Sequence, residues 1–85
     1  MEIEYSPKFA KQFKKLQKEI QEKALLCEKL FRTNPFDPKL KTHKLHGSMK
    51  EQWAFSISYG HRIGFTFIAG RTARFHAIGT HDIYG

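Results

Sequence analysis

In Trp53-Ala-Phe-Ser-Ile-Ser-Tyr59 the large apolar side chains fall at every second position, the period of a strand with one buried face. Tyr59-Gly60-His61 interrupts the pattern, and Arg62-Ile-Gly-Phe-Thr-Phe-Ile68 resumes it with Ile63, Phe65 and Phe67 in phase. Ala69-Gly70-Arg71 turns the chain again before Ala73-Arg-Phe-His-Ala-Ile78. Turns this short join neighbouring strands, so an antiparallel three-strand meander is predicted for the last third of the chain. At the other end Glu2-Ile-Glu-Tyr5 alternates and predicts a short first strand with Ile3 and Tyr5 inward.

The stretch between these ends has the helical period. Ser6-Pro7 is a start signal, because serine can cap the first turn and proline at the first helical position gives up an N–H that has no partner there. Phe9, Phe13, Leu16 and Ile20 follow at helical spacing, then Ala24, Cys27, Leu30 and Phe31, joined by Leu26, up to the stop at Thr33-Asn34-Pro35. No Gly or Pro divides residues 7–33, so periodicity is met equally by one long helix and by a helical hairpin. A hairpin buries both apolar faces on one small sheet, so compactness favours it, with a break near Gln17 to Ile20. The expected architecture is α+β: a short N-terminal strand and a helical hairpin packed on an antiparallel three-strand meander, in one domain spanning 1–85.

Strand parity also sorts the outward side chains. With Trp53, Phe55, Ile57, Ile63, Phe65, Phe67, Phe75 and Ala77 inward, the other face carries Ala54, Ser56, Ser58, Arg62, Gly64, Thr66, Arg74, His76 and Ile78. No acidic residue occurs between Glu51 and Asp82, so this face is expected to be an anion-binding surface with room above Gly64. The formal charge of +7 points the same way. Residues 1–34 mix eight basic with five acidic residues, whereas residues 35–85 hold seven basic residues, three acidic ones and all five histidines. That balance suits nucleic acid or an acidic protein and does not choose between them. Lys39 to Lys50, with four lysines, two histidines and no acid, reads as a flexible basic segment. The single cysteine, Cys27, excludes an internal disulfide and suits a reducing cytosol; among Leu25, Leu26 and Leu30 it reads as a small core residue. No apolar run approaches the ~20 residues of a membrane helix and no signal peptide is evident, so a cytoplasmic, membrane-free protein is expected.

Candidate chemistry narrows this further. His43 and His46 sit three apart in a lysine-rich segment without a carboxylate, surroundings that oppose a divalent ion, so no metal or cofactor is expected. No serine or cysteine has a nucleophile's context, and no Gly-rich phosphate loop is present. Metal-free RNA cleavage needs less: a base for the 2′-hydroxyl, an acid for the leaving 5′-oxygen and a cation on the phosphate. Histidine suits both proton roles near neutral pH, and arginine suits the phosphate. His43, His46, His76 and His81 with Arg62 and Arg74 provide that inventory.

Three segments carry a resemblance: His43-Lys-Leu-His-Gly-Ser-Met-Lys-Glu-Gln-Trp53, His61-Arg-Ile-Gly-Phe65 and Ile78-Gly-Thr-His-Asp-Ile-Tyr-Gly85. With the order of elements they resemble the RelE/ParE superfamily of bacterial toxins, most closely its mRNA-interferase branch, RelE, YoeB and YafQ. The Gly-Thr-His ending followed by an aromatic residue is the most specific of the three. The resemblance implies an endoribonuclease that cuts mRNA, usually on the ribosome, and a cognate antitoxin that neutralises it. It implies His43 as base, with His46 competing if the loop alignment slips, Arg62 on the scissile phosphate and His81 as general acid. RNA-binding roles fall to Lys41, Lys44, His46, Lys50, His61, Arg71, Arg74, His76 and Tyr84, the last by stacking. Asp82 departs from the tyrosine that YoeB has at that place. Two other readings remain at this point, a ParE-like toxin that binds a protein such as gyrase and a basic RNA-binding module without activity. ParE-like members typically lack the terminal histidine.

Overall fold

In the computed structural model, which describes residues 1–47 and 51–80, the two ends of the chain meet in one sheet. Strand β1 (Glu2–Tyr5) lies parallel to β5 (Thr72–Gly79), with Ile3 opposite Ala73 and Tyr5 opposite Phe75. Between them come α1 (Pro7–Lys14), α2 (Lys18–Thr33), a 3-10 turn (Pro38–Leu40), β2 (His43–Lys44), β3 (Trp53–Ser56) and β4 (Arg62–Ala69). The sheet order is β1-β5-β4-β3-β2, and every pairing except β1 with β5 is antiparallel. A parallel pair needs a crossover, and the helical hairpin is part of that connection. The expected α+β fold, with its hairpin and three-strand meander, is the fold observed.

The helices meet the sheet through aromatic side chains. Phe31 is fully buried, with its ring centroid 5.1 Å from Phe55, 4.9 Å from Phe65 and 5.2 Å from Phe75. Two of these contacts are edge-to-face, the arrangement that sets a ring's positive edge against a neighbour's negative face. Phe9, Ala24, Leu40, Ile57, Ile63, Ala73 and Ile78 complete the cluster, and Phe13, Leu16, Ile20, Cys27 and Leu30 pack against its rim.

The helical hairpin expected from compactness is present, with its break at residues 15–17, at the early edge of the expected Gln17 to Ile20. Gln17 is extended (φ −61°, ψ 149°) and starts α2 without a side-chain cap. The Gln21 amide donates to the Phe13 carbonyl at 2.8 Å, which also accepts from Leu16 N–H at 3.1 Å, and so ties α2 to the end of α1. No local breaker marks this site, because the sheet's need for two covering faces imposes it. Leu26 corrects the predicted core: it is 63% exposed, as Leu25 is 52% exposed, and the pair lies on the outer side of α2.

At its far end β5 continues past the last residue of β1, and α1 takes over that edge. Ser6 N–H donates to the Phe75 carbonyl at 3.0 Å, and its hydroxyl donates to the His76 carbonyl at 2.9 Å. The same hydroxyl accepts from Phe9 N–H at 3.0 Å as the α1 cap, and Gln12 Oε1 accepts from Ile78 N–H at 2.9 Å. Here the register slips. Phe65 pairs with Phe75 but Gly64 pairs with Ala77, so His76 is one residue too many and forms a bulge. The predicted parity is therefore reversed beyond it: Ile78 joins the core, and Ala77 turns to the other face beside Gly64. Two further expectations change. The strand at Trp53 ends at Ser56, leaving Tyr59 fully exposed, and the basic segment contains the turn at Pro38–Leu40 and the short β2.

Phe31→Ala removes the ring on which three others converge and should lower stability by ~3–5 kcal/mol. Phe36→Ala removes a 52% exposed ring and should cost about 1 kcal/mol or less. Urea denaturation followed by circular dichroism checks both, and similar losses for the two would show that the core is not centred on Phe31.

Candidate active site

Cross-strand register builds the outer face in rows. One row runs His43, Ala54, Gly64, Ala77 across β2 to β5, and the next runs Ser56, Arg62, Gly79 across β3 to β5. The centre of the first row is made of small residues, and all three of them are buried. His43 stands exposed at its β2 end, two strands over and two residues along from half-buried Arg62. That offset places their Cα atoms ~12 Å apart on one face. Two long side chains at that spacing can approach one phosphate from opposite sides.

The His43 ring is oriented by its own turn. Nδ1 lies 3.1 Å from the Lys41 carbonyl oxygen, which can only accept, so Nδ1 carries a proton. In the neutral ring Nε2 then holds the lone pair. Lys41 supplies that carbonyl from the left-handed conformation (φ 54°), which closes the 3-10 turn.

Beside Arg62 is a cleft of about 360 Å³. Lys39 and Lys41 form one wall, Arg62 another, and Ser56, Ser58 and Tyr59 line the β3 end; no carboxylate is among its described lining residues. Cys27 also reaches it, half-buried rather than in the core, with its thiol directed at the Ile57 carbonyl at 4.0 Å. Burial pushes this thiol's pKa up against the opposing pull of Lys23, so it stays protonated and is a poor nucleophile.

Other predicted residues lie elsewhere. Lys44 pairs with Trp53 and is turned to the opposite side of the sheet from His43, its ammonium 6.0 Å from the indole centroid. Arg74 is 3.2 Å from Glu4, so this part of the outer face is not free of acids. That pairing follows from the parallel register, which brings a residue 70 positions away in sequence alongside. His76 bonds Thr66 Oγ1 through Nε2 at 2.8 Å. Arg71 sits at the β4–β5 turn, where its carbonyl accepts from Glu2 N–H; β4 runs ~23 Å from Arg62 to that end. His61 is half-buried and lies 3.2 Å from the Ser58 hydroxyl, while His46 is exposed beyond β2. Lys50, His81, Asp82 and Tyr84 lie outside the described residues. Gly79, two residues before His81, is the partner of Arg62.

The fold thus gathers His43, Lys41 and Arg62 and separates them from Lys44, Arg71 and Arg74. Lys39 and Tyr59 are additions that sequence reasoning passed over. Their signal was present: a buried leucine between two lysines sends both lysines outward, and an aromatic residue in a Ser-Tyr-Gly turn has no core to enter. Among the described residues no group of three or more His, Cys, Asp or Glu is placed to hold a metal ion. None of their helices is long and apolar enough to cross a membrane.

No protein-family model matches the sequence, and no curated protein does. Solved structures do match. YafQ from E. coli strain BL21(DE3) superimposes with a TM-score of 0.79 at 25% identity, over 98% of this chain and 96% of that one. The E. coli DinJ–YafQ toxin–antitoxin complex matches with a TM-score of 0.77 at 27% identity, over 96% and 93%. The chain has the RelE-like fold of the YafQ and YoeB toxins. A YoeB/ParE toxin from Agrobacterium tumefaciens shares that fold, with a TM-score of 0.80 at 18% identity over 95% and 99%.

Within this RelE-like sheet the bulged His76 has a lowered pKa, first from burial and then from the charges of Arg74 and Lys8. Its folded pKa is below the unfolded value near 6.5, so around that pH the unfolded chain binds more protons. Stability should then fall as pH drops from neutrality through ~6.5 toward the folded pKa, and level off below both. Urea midpoints of the parent and His76→Gln across this range test it: the variant should lose less on acidification, and parallel curves would remove His76 as the cause.

Proposed function

We propose that the chain is the toxin of a type II toxin–antitoxin pair and an endoribonuclease that cleaves mRNA, in the cytoplasm and on the ribosome, with residues 1–85 as one catalytic domain. The observation that carries this reading is the match to YafQ over nearly the full length of both chains. The match to a DinJ–YafQ complex supports a cognate antitoxin as partner.

In this reading the RNA's own 2′-hydroxyl is the nucleophile. Neutral His43 takes its proton at Nε2, a role supported by the Nδ1 hydrogen bond to Lys41. The oxygen attacks the adjacent phosphorus, and Arg62 stabilises the charge that develops on the phosphorane. His81 then gives a proton to the departing 5′-oxygen. Its place in the chain supports this, since two residues span at most ~7 Å from Gly79, the neighbour of Arg62. The products are a 2′,3′-cyclic phosphate and a 5′-hydroxyl. Tyr84 is assigned to base stacking, and Lys41, His46, Lys50 and His61 to RNA contacts. Between the two candidate bases, the position of His43 in the row with Ala54 and Gly64 favours it over His46.

Induced expression should arrest translation, while His81→Ala should fold, leave growth unaffected and lose ~10²–10⁴ in cleavage rate. Arg62→Lys should cleave nearly as poorly as Arg62→Ala, because lysine keeps the charge and loses the bidentate fork. An equally toxic His81→Ala would remove the acid role.

Cleavage should survive EDTA, since both proton roles belong to side chains. A 2′-deoxy substitution at the cleaved nucleotide should abolish cutting and leave binding largely intact. Mapping fragment ends checks both points, and 5′-phosphate termini would mean that water, not the 2′-hydroxyl, is the nucleophile.

A further inference from the structure

The cleft beside Arg62 has features that the cleavage chemistry does not use. Lys39 and Lys41 project from a turn whose backbone is tightly held. Leu40 between them is fully buried, and Asp37 Oδ1 accepts from Lys39 N–H at 2.9 Å. Lys41 N–H donates to the Pro38 carbonyl at 3.3 Å, and Thr42 Oγ1 donates to the Pro35 carbonyl at 2.6 Å. The carboxylate of Asp37, in the same turn, is thus engaged by the turn's own backbone. Two ammonium groups are therefore presented from a fixed base, with less ordering to lose on binding than on a loose loop. At the cleft's other side Tyr59 is fully exposed.

We propose that this cleft is a second nucleotide subsite for single-stranded RNA. A phosphate next to the scissile one lies between Lys39 and Lys41, and its base stacks on Tyr59. The inference rests on the RNA-cleaving reading and adds to it a site that flanks the reacting phosphate. Cations alone would suit an acidic peptide equally well. A solvent-exposed aromatic ring on the same cleft is what favours a nucleotide, because every base has a π-face and an anionic side chain has none. The size agrees: about 360 Å³ is at the small end of ligand clefts, which run ~300–1,000 Å³, and holds one nucleotide unit rather than several.

The test is fluorescence anisotropy of a short, labelled 2′-O-methyl oligonucleotide, which cannot supply the nucleophile, on the full chain across a salt series. Lys39→Gln combined with Lys41→Gln should weaken binding and flatten the slope of log K against log salt by about 0.7, the loss of one phosphate contact. Tyr59→Ala should weaken binding about tenfold with the slope unchanged, and Tyr59→Phe should bind as the parent does. Lys29→Gln, on the outer groove of α2, should leave the slope unchanged. The proposal is overturned if the double lysine variant keeps the parent's slope, if Tyr59→Phe is as weak as Tyr59→Ala, or if the parent does not bind the oligonucleotide. It is equally overturned if a polyglutamate peptide displaces the RNA and binds independently of Tyr59. Thermal melts of each variant show that these exposed substitutions leave the fold intact. Cleavage of a native message, run in parallel, separates the two readings. Cleavage without these binding signatures removes the subsite alone, whereas the signatures without cleavage remove the nuclease and leave the subsite.

Discussion

The packing of Phe31 between the helices and the sheet is the contact on which the rest of the structure depends. Its ring touches residues of β3, β4 and β5 at once, so one side chain sets the height and angle of α2 over three strands. Among the described residues one hydrophobic cluster carries that task, and α2 covers it. Leu40 extends the same core toward the 3-10 turn, so the turn inherits the rigidity of the aromatic cluster. The candidate site depends on this, because Lys39, Lys41 and the carbonyl that orients His43 all belong to that turn or its cap.

The second constraint is the mismatch in length between β1 and β5. A strand edge left without a partner exposes unpaired backbone groups, and Ser6 and Gln12 from α1 supply them. The bulge at His76 lies within this patch. It lets Ile78 enter the core while keeping Gly79 opposite Arg62. The described part of β5 therefore ends beside the arginine, with Gly79 opposite Arg62. A register slip in the strand thus sets which backbone lies opposite Arg62.

Electrostatics divides the basic surface into parts with different uses. Near β1 the charge of Arg74 is met by Glu4, and Lys44 lies over Trp53 on the opposite side of the sheet from His43, so neither joins the cleft beside Arg62. The cleft keeps Lys39, Lys41 and Arg62 without a carboxylate among its described lining residues. A net charge of +7 describes affinity for polyanions in general, whereas the cleft gathers three of these cations in one place.

Local periodicity and turn chemistry were enough to read the strands at Trp53, Arg62 and Ala73, the capped helix after Ser6, the α+β layering and the polar face that carries Arg62, but not the short β2 that adds His43 to it. These are properties of neighbouring residues, and the forces that set them act over a few positions. The break between α1 and α2 was not legible in the same way, because no local breaker marks it and only the demand for two covering faces selects it. The bulge at His76 escaped for a related reason: alternation runs through Ala73, Phe75 and Ala77, Ile78 alone falls out of phase, and only pairing with Gly64 and Phe65 reveals the extra residue. The neutralisation of Arg74 joins residues 70 positions apart through a parallel pairing. Lys44 and His43 are adjacent in sequence, yet strand pleating sends them to opposite faces. Sequence alone determined which chemical groups are available on this chain, and tertiary register decided which of them share a site, because register is a sum of long-range contacts that no local pattern contains.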